Sequence, residues 1–416
     1  MRAVTRVLSI ALTSILVGAG VVTAPAQAAD SLVIWADAGH AQAIRELLPN
    51  GYKGTPITVV DKDAESMRPE LAGIGAKQAP DVIWGDLAWT GELAGAGQLL
   101  PVDLKKKVRS KFRANVLVGS TVDGERYGLP VQISNLALIT NTKLVPTQPR
   151  TFAELSALAL KLTKNKKKVT VPFALPQGEG TSPWTTYPLF SGLGGYLFKR
   201  TSDGSLDLGD VGLSNATFRA NAGQIDGWNS SGLISSKLTS EEAKTAFANG
   251  QSPFWMAGPE SLQSLLDLTF AYRIGALPPM KAGIKASPLL TVQGFMITSF
   301  ATKHGMADQA AELVGTYFAR EKAQQKLAAV SGLFPANTDA AAKVTTGGGR
   351  VRAMGNAGAD GVTMPNAPQA GVLWAPYATA WADSTKGSKA TAAKKAFRAA
   401  QREAVAALRG GDVPTG

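Results

Sequence analysis

The stretch Leu32-Val-Ile-Trp-Ala-Asp37 begins the pattern that decides the fold. It is a short apolar run, and two further runs follow at residues 57–60 and 82–84, each leading into a segment with helical character. This alternation predicts βαβ units and an α/β fold with a mostly parallel sheet. In such sheets, ligands bind beyond the carboxyl ends of the strands. The side chains expected there are Asp37, His40, Asp86 and Trp89.

Two later apolar strands carry polar or glycine interruptions. Residues 131–139 are interrupted at Ser134 and Asn135, among others, and residues 290–297 contain a glycine in mid-run. Polar residues inside an apolar strand are typical of a segment that crosses between two lobes. The Gly-rich stretch 346–361 is either a loop or a third crossing.

The length of the chain also favours two lobes, because 416 residues exceed a typical single domain. After residue 297, and again over residues 393–408, apolar side chains recur at helical spacing and predict helices with one core face. We expect an N-terminal lobe of residues 29–132 and 298–342, a C-terminal lobe of 138–289 and 347–416, and hinge crossings near 133–137, 290–297 and 343–346.

Residues 1–28 have the pattern of a signal peptide. Arg2 and Arg6 precede an apolar run over residues 7–22, and Ala26-Gln27-Ala28 matches a cleavage site. The alternative is a transmembrane anchor, but a span usually needs roughly 18 or more apolar residues, and this run is shorter and interrupted. We therefore expect an exported protein, in the periplasm or outside the cell in association with the envelope.

The sequence contains no cysteine. Disulfides, thiolate metal sites and a lipidated N-terminal cysteine are therefore not expected, and neither is any metal or cofactor. The formal net charge is +12, with the densest basic clusters at residues 105–107 and 164–168. No aromatics are interleaved with these clusters, so we expect solvated surface rather than nucleic-acid binding, with attraction to an anionic envelope surface as the functional alternative.

Catalysis is not favoured by the residue inventory. Only two histidines are present, His40 and His304, and no Ser-His-Asp, His-Glu-x-x-His or phosphate-binding glycine motif appears. Asp37, Asp86 and Glu260 could in principle converge as the carboxylates of a glycosidase. A secreted glycan-active enzyme is therefore retained as the less favoured alternative.

Eight segments of the chain resemble those of one protein family, and they occur in the same order as in that family. The last of them, Met-Pro-Asn-Ala-Pro-Gln-Ala-Gly-Val-Leu-Trp374, presents a large aromatic after a proline-stiffened turn. The segments are residues 32–37, 80–84 with 91–100, 127–144, 182–189, 194–199, 210–216, 256–259 and 364–374. Together they resemble the extracellular solute-binding proteins of ATP-driven (ABC) sugar importers, specifically the maltose and maltodextrin branch.

The resemblance implies a two-lobed periplasmic-binding-protein fold of type II. A monomer would enclose an oligosaccharide by a hinge motion and deliver it to the membrane subunits of an ABC importer. Sugars have apolar ring faces and hydroxyl edges, so their sites need both aromatic and polar side chains. The resemblance places stacking aromatics at Trp184 and Trp374, an acid near Asp37, and a cationic or aromatic side chain at Trp89.

Departures from the maltose pattern indicate a different glycan. Ser134 stands where a Glu is usual, Ser182 and Ala88 replace acids, Ala378 replaces an Arg and Glu260 replaces a Trp. A hydrogen bond to a charged group contributes roughly 1.5–3 kcal/mol, so such losses need compensation. The compensating candidates are Asn135, Asp86, Glu260 and Tyr377. A surface glycan-binding protein that is not coupled to transport is the other alternative function.

Overall fold

The computed structural model describes residues 31–165, 167–178, 183–345 and 349–410. The expected signal peptide, Ser182 and residue 346 of the expected third hinge crossing lie outside the described residues. The strands are β1 Leu32–Ala36, β2 Ile57–Asp61, β3 Val82–Asp86, β4 Leu99–Leu100, β5 Thr121–Val122, β6 Glu125–Arg126, β7 Leu129–Asn135, β8 Ala137–Asn141, β9 Phe198–Arg200, β10 Leu206–Val211, β11 Phe254–Ala257, β12 Tyr272–Gly275, β13 Leu289–Thr298, β14 Phe334–Pro335 and β15 Val362–Thr363.

Seventeen α-helices lie in the described ranges. They are α1 Ala38–Leu47, α2 Ala64–Gly73, α3 Thr90–Gly95, α4 Lys106–Arg109, α5 Ala114–Leu117, α6 Phe152–Asn165, α7 Pro183–Gly192, α8 Ala216–Asn221, α9 Gly223–Ser230, α10 Ser240–Ala248, α11 Phe300–Lys303, α12 Ala307–Glu312, α13 Glu321–Val330, α14 Thr338–Ala342, α15 Arg350–Ala357, α16 Gly371–Thr385 and α17 Ala393–Gly410. Within the described ranges, none is long and apolar enough to cross a bilayer.

The largest sheet has the strand order β14-β7-β13-β3-β1-β2. β1 pairs in parallel with both β2 and β3, as the βαβ rhythm predicted. The expectation of a mostly parallel sheet is wrong, because β13 pairs antiparallel with β3, β4 and β7, and β14 pairs antiparallel with β7. β13 runs antiparallel to β3 and β7, which places Gln293 opposite both Asp86 and Gln132. The carboxyl end of β3 therefore lies beside the middle of β13, and the carboxyl end of β1 lies on the other side of β3.

A buried carboxylate fixes the register of this sheet. Asp81 precedes β3 and is fully buried; its Oδ2 accepts the backbone N–H of Val33 at 2.7 Å, and its Oδ1 contacts Nδ1 of His304 at 2.7 Å. Burial raises the pKa of Asp81, and these two hydrogen bonds oppose that rise. His304 thus has a structural role, since it joins the end of α11 to the strands.

The apolar run at residues 131–139 is divided between two sheets. β7 belongs to the large sheet, whereas β8 is the centre of a three-stranded sheet with the order β11-β8-β12. The chain passes from one sheet to the other at Leu136, so the expectation of a single strand is wrong. Of the two expectations for residues 346–361, the loop is wrong, because α15 occupies most of the described part.

Two large hydrophobic cores account for the two-lobed α/β architecture. The first draws on residues between Leu32 and Ile133 and between Leu290 and Val351. The second draws on residues between Leu136 and Leu289 and between Ala370 and Ala404. The predicted core face of α17 is confirmed, because Phe397, Ala400 and Ala404 are buried in this second core.

Candidate functional site

Asp37 lies where β1 ends and α1 begins. As the N-cap residue, it accepts the backbone N–H of His40 through Oδ1 at 3.1 Å, and its Oδ2 contacts Nδ1 of the same histidine at 2.7 Å. Burial would raise the pKa of Asp37, but the hydrogen bonds from His40 outweigh burial and the pKa is lowered. A partly exposed carboxylate is therefore held charged at the end of the strand.

His40 lies behind this carboxylate. Its ring is buried and stacks on Trp84 with 3.9 Å between ring centroids. The side chain is thus part of the first core, and it orients Asp37 rather than presenting a surface to a ligand. This placement differs from the expectation that His40 itself contacts the ligand.

Asp86 and Trp89 share the end of β3. Asp86 is partly buried and accepts the backbone N–H of Ala88 at 2.9 Å, which caps the short helical turn that carries Trp89. Burial raises the pKa of Asp86 to about 6. The indole of Trp89 lies flat on Gly85, where a Cβ atom would come within 2.1 Å of the ring. Glycine is therefore needed for the ring to cover the strand end.

Two glutamines complete this edge and were not predicted as site residues. The fully buried Gln132 donates from Nε2 to Oε1 of Gln293 at 2.5 Å and to Oγ of Ser331 at 3.3 Å, while its own Oε1 has no partner. The available signal was that both glutamines interrupt apolar strands. Asp37, Asp86, Trp89, Gln132 and Gln293 are called the polar rim below.

The remaining expected polar residues have different placements. Ser134 is partly exposed and lies opposite Thr291 across β7 and β13. Asn135 is fully buried and donates from Nδ2 to the carbonyls of Leu136 and Met354, so it joins β7 to α15 and offers no ligand surface. Glu260 is exposed after β11 and accepts the backbone N–H of Gly258 at 3.0 Å.

Trp184 and Trp374 lie at the starts of two helices of the second lobe. Both indoles are partly exposed and pack against the second core. Their helices, α7 and α16, are joined by the hydroxyls of Thr186 and Tyr377 at 3.0 Å, within one turn of each indole. The two tryptophans therefore occupy neighbouring helix starts, which are called the aromatic rim below.

Tyr377 contributes to this rim only indirectly. Its side chain is fully buried, with Phe190 at 5.0 Å and Phe397 at 5.8 Å between ring centroids. Burial raises the pKa of Tyr377 well above its ordinary value. The expectation that Tyr377 contacts the ligand is not supported, because its ring has no free surface and its hydroxyl already bonds Thr186.

A buried asparagine links the polar and aromatic rims along the chain. Asn366 is buried and donates from Nδ2 to Oγ1 of Thr90 at 3.1 Å and to the carbonyl of Thr121 at 3.0 Å. Thr90 follows Trp89 directly, and Asn366 lies only eight residues before Trp374. Asn366 thus attaches the segment that leads to Trp374 beside the polar rim. Sequence reasoning missed this positioning residue.

Two α/β lobes, one with the polar rim and the other with the aromatic rim, are typical of a two-lobed binding protein. No group of three or more His, Cys, Asp or Glu side chains in the described part of the chain is arranged to hold a metal. The family of bacterial extracellular solute-binding proteins matches residues 37–325. The chain belongs to this family, whose members are binding proteins rather than enzymes.

Relatives cover most of this chain. It is 25% identical to the maltodextrin-binding protein MdxE of Bacillus subtilis (strain 168) over 328 residues, 76% of this chain and 75% of the relative. It is 26% identical to the maltooligosaccharide ABC transporter solute-binding lipoprotein of Streptococcus pneumoniae (strain ATCC BAA-255 / R6) over 378 residues, 86% and 84% of the two chains. A galactooligosaccharide-binding protein of Bacillus subtilis (strain 168) is 24% identical over 300 residues, 70% and 69% of the two chains.

Solved structures show the same fold. A cyclo/maltodextrin-binding protein complexed with maltotetraose has a TM-score of 0.77 at 21% identity, over 91% of this chain and 97% of its own. An extracellular solute-binding protein from Staphylococcus aureus in complex with maltose also has a TM-score of 0.77, at 20% identity, over 91% and 98% of the two chains. Both likenesses confirm the two-lobed periplasmic-binding-protein fold.

Proposed function

We propose that this protein captures an oligosaccharide outside the cytoplasmic membrane and delivers it to an ABC importer. The observation that carries the proposal is the aromatic rim, where Trp184 and Trp374 are partly exposed on helices joined by a hydroxyl pair. Indole faces of this kind suit the apolar faces of sugar rings. The relatives named for maltodextrin, maltooligosaccharide and galactooligosaccharide support the same ligand class.

The ligand lies between the two lobes in this proposal. The N-terminal lobe comprises residues 29–132 and 298–342, the C-terminal lobe 138–289 and 347–416, with hinge crossings near 133–137, 290–297 and 343–346. The separate hydrophobic cores support this division. The protein acts as a monomer and without lipidation, and closure of the lobes is the signal for the importer.

Seven of the side chains expected from the sequence form the ligand-binding set, and two glutamines are added. Asp37 and Asp86 accept sugar hydroxyls, and Gln132 and Gln293 extend the same edge. His40, Asn135 and Tyr377 hold the others in place. The ligand-binding residues are Asp37, Asp86, Trp89, Ser134, Trp184, Glu260 and Trp374, with Gln132 and Gln293. Ser134 and Glu260 depart from the maltose pattern, so the preferred glycan differs from maltose.

Calorimetric titration of the purified protein with a glycan panel tests the proposal. The panel contains maltose, maltotriose, maltotetraose, galactooligosaccharides and cellooligosaccharides, with glucose as the monosaccharide control. We expect saturable binding of at least one oligosaccharide and weaker binding of glucose. Absence of binding across the panel would contradict oligosaccharide capture, whereas tightest binding of maltose or maltotriose would contradict only the change of ligand.

A transport assay separates import from simple surface binding. A strain that lacks this protein should fail to take up the glycan that titrates most tightly, and the wild-type gene should restore uptake. The Trp374→Ala variant is the matched control, since it should be exported normally and restore little uptake at low glycan concentration. Normal uptake in the deletion strain would favour a glycan-binding protein that is not coupled to transport.

A further inference from the structure

A cavity of about 250 Å³ is lined by none of the rim residues. It lies between α14, β14 and α15, and its polar lining comes from Arg113, Thr338, Arg352 and Asn356. Its other lining residues are apolar, with Phe334 among them, and no acidic side chain lines it. A cavity with two guanidinium groups and no carboxylate has a surplus of positive charge.

Arg113 contributes the first guanidinium. It lies over the ring of Phe334, 5.5 Å from the centroid, and donates to the carbonyl of Gly355 at 3.4 Å and to Oδ1 of Asn356 at 3.3 Å. Both distances are longer than the usual range of about 2.7–3.2 Å for such bonds. Burial lowers the pKa of Arg113, and the charge of Asp360 only partly opposes this. A partly desolvated cation is therefore held by weak contacts.

Arg352 contributes the second guanidinium. It lies one helical turn before Asn356 on α15, so both side chains project from the same helix face. Arg352 donates to the carbonyl of Ala342, the last residue of α14, at 3.3 Å. A guanidinium has five N–H donors. Neither arginine pairs with a carboxylate among the described residues, so most of their donors have no protein acceptor.

Helix capping explains part of this arrangement. Arg113 is at the carboxyl end of α15 and Arg352 is at the carboxyl end of α14, where cations are favourable. Capping uses one or two donors of each guanidinium, however, and it leaves further N–H donors on two arginines that line one cavity without an acidic side chain.

We propose that this cavity binds a small oxyanion, with a phosphate or carboxylate group held between Arg113 and Arg352 and assisted by Asn356. The planar fork of a guanidinium matches two oxygens of such a group, which favours an oxyanion over chloride. The aromatic floor at Phe334 excludes water from one side of the cavity. The site is independent of the saccharide function.

The anion would also fix the position of α15. This helix packs against β12 of the three-stranded sheet as well as against β14 and β7 of the large sheet. Asn135, at the point where the chain passes between the sheets, donates to the carbonyl of Met354 in the same helix. An anion that joins α15 to α14 therefore stabilises the helix that contacts both sheets.

Titration of the mature protein with inorganic phosphate and with citrate, in chloride buffer at constant ionic strength, tests this site. We expect saturable heat in calorimetry and a rise of Tm with at least one of the two anions. Arg352→Gln should weaken the apparent affinity by about tenfold or more, as expected for loss of charged hydrogen bonds. Arg113→Gln should also weaken anion binding. It should lower stability as well, because the guanidinium no longer packs on the ring of Phe334.

Arg350→Gln is the matched control, because it removes the same charge from the same helix and Arg350 does not line the cavity. It should leave anion binding unchanged. Equal weakening of anion binding by Arg350→Gln and Arg352→Gln would show that only the net charge of the protein matters, and it would overturn the proposal. The absence of saturable binding of either anion would overturn it too. A response to phosphate alone or to citrate alone identifies the kind of oxyanion. Saccharide titrations of the same variants report separately on the other site.

Discussion

The polar rim and the aromatic rim are built by different means. On the polar rim, Asp37 and Asp86 lie at the ends of parallel strands and are held by the backbone N–H groups of the next turn. On the aromatic rim, Trp184 and Trp374 lie at the starts of helices and are held by packing on the second core. The two aspartates of the first rim are fixed by local hydrogen bonds, whereas the second rim depends on how two helices pack.

On the aromatic rim, exposed and buried side chains lie within one turn of α16. Trp374 is partly exposed, and Tyr377, three residues later, is fully buried. The same helix therefore supplies a proposed ligand surface at Trp374 and, at Tyr377, the contact that holds this surface in place. Substitutions at the two positions should separate ligand binding from stability.

Tyr377→Ala should have the largest effect, and the effect should be on stability. Removing a fully buried aromatic leaves a cavity, and the free energy of unfolding should fall by about 3–5 kcal/mol. Urea denaturation measures this. Tyr377→Phe is the control, since it loses only the hydrogen bond to Thr186 and should cost about 1 kcal/mol. Unchanged stability in Tyr377→Ala with lost glycan binding would return Tyr377 to the ligand-binding set.

Trp374→Ala should act mainly on binding. Loss of a stacking ring should weaken glycan affinity by about 1–3 kcal/mol, by analogy with base stacking on aromatics. Calorimetry on the preferred glycan measures this, and circular dichroism should show an intact fold. Trp374→Phe should retain most of the affinity because a smaller aromatic face remains. Wild-type affinity in the alanine variant would assign Trp374 to the core alone.

Asp37→Ala tests the polar rim. Loss of the N-cap hydrogen bond of α1 should lower the free energy of unfolding by about 1 kcal/mol. Asp37→Asn keeps a capping oxygen and should retain most of that stability, while it removes the charge offered to a sugar hydroxyl. Weaker glycan binding in both variants would place Asp37 in the site. Unaltered binding in both would leave it as a helix cap only.

The titration of Asp86 should have the smallest effect on stability, and this effect should appear as a pH dependence. Its pKa is raised by burial from 3.8 to about 6, so the folded state holds the proton more tightly than the unfolded chain. The stabilisation is present below pH 3.8 and is lost as pH rises through about 6. Because the carboxyl is partly exposed, we expect at most about 1 kcal/mol.

Asp86→Asn removes the titrating group. The difference in stability between pH 4 and pH 7 should shrink in this variant relative to wild type, measured by urea denaturation at both values. Asp63→Asn is a suitable control, because Asp63 also caps a helix and lies on the surface. An equal change in both variants would show that the pH dependence does not come from Asp86.

The first lobe was the easier to predict. Its first three strands are short and mostly apolar, so their positions and the parallel pairing of β1 with β2 and β3 followed from periodicity, and Asp37 and Asp86 followed from the strand ends. The spatial order of the strands and the antiparallel pairing of β13 did not follow. The passage of the chain between two sheets at Leu136 could not be predicted from periodicity, because residues 131–139 are apolar on both sides of this point. α15 was missed because the neighbouring glycines concealed a helical segment.

The aromatic rim was predicted only in part. α16 is apolar on nearly every side, with Trp374, Tyr377 and Trp381 among its residues, so its sequence does not indicate which face is buried. Only the packing of α7, α16 and α17 assigns Tyr377 to the core. Gln132, Gln293 and Asn366 were missed for a related reason: each acquires its role from a partner distant in sequence.

The sequence alone determined the α/β class, the family and the apolar faces of its elements, because these depend on local periodicity and on motifs in a common order. The tertiary structure decided which polar and aromatic side chains reach a surface, because burial depends on contacts between segments far apart in the chain. Asn135, His40 and Tyr377 became supports, and Arg113 and Arg352 came to line one cavity, through such contacts alone.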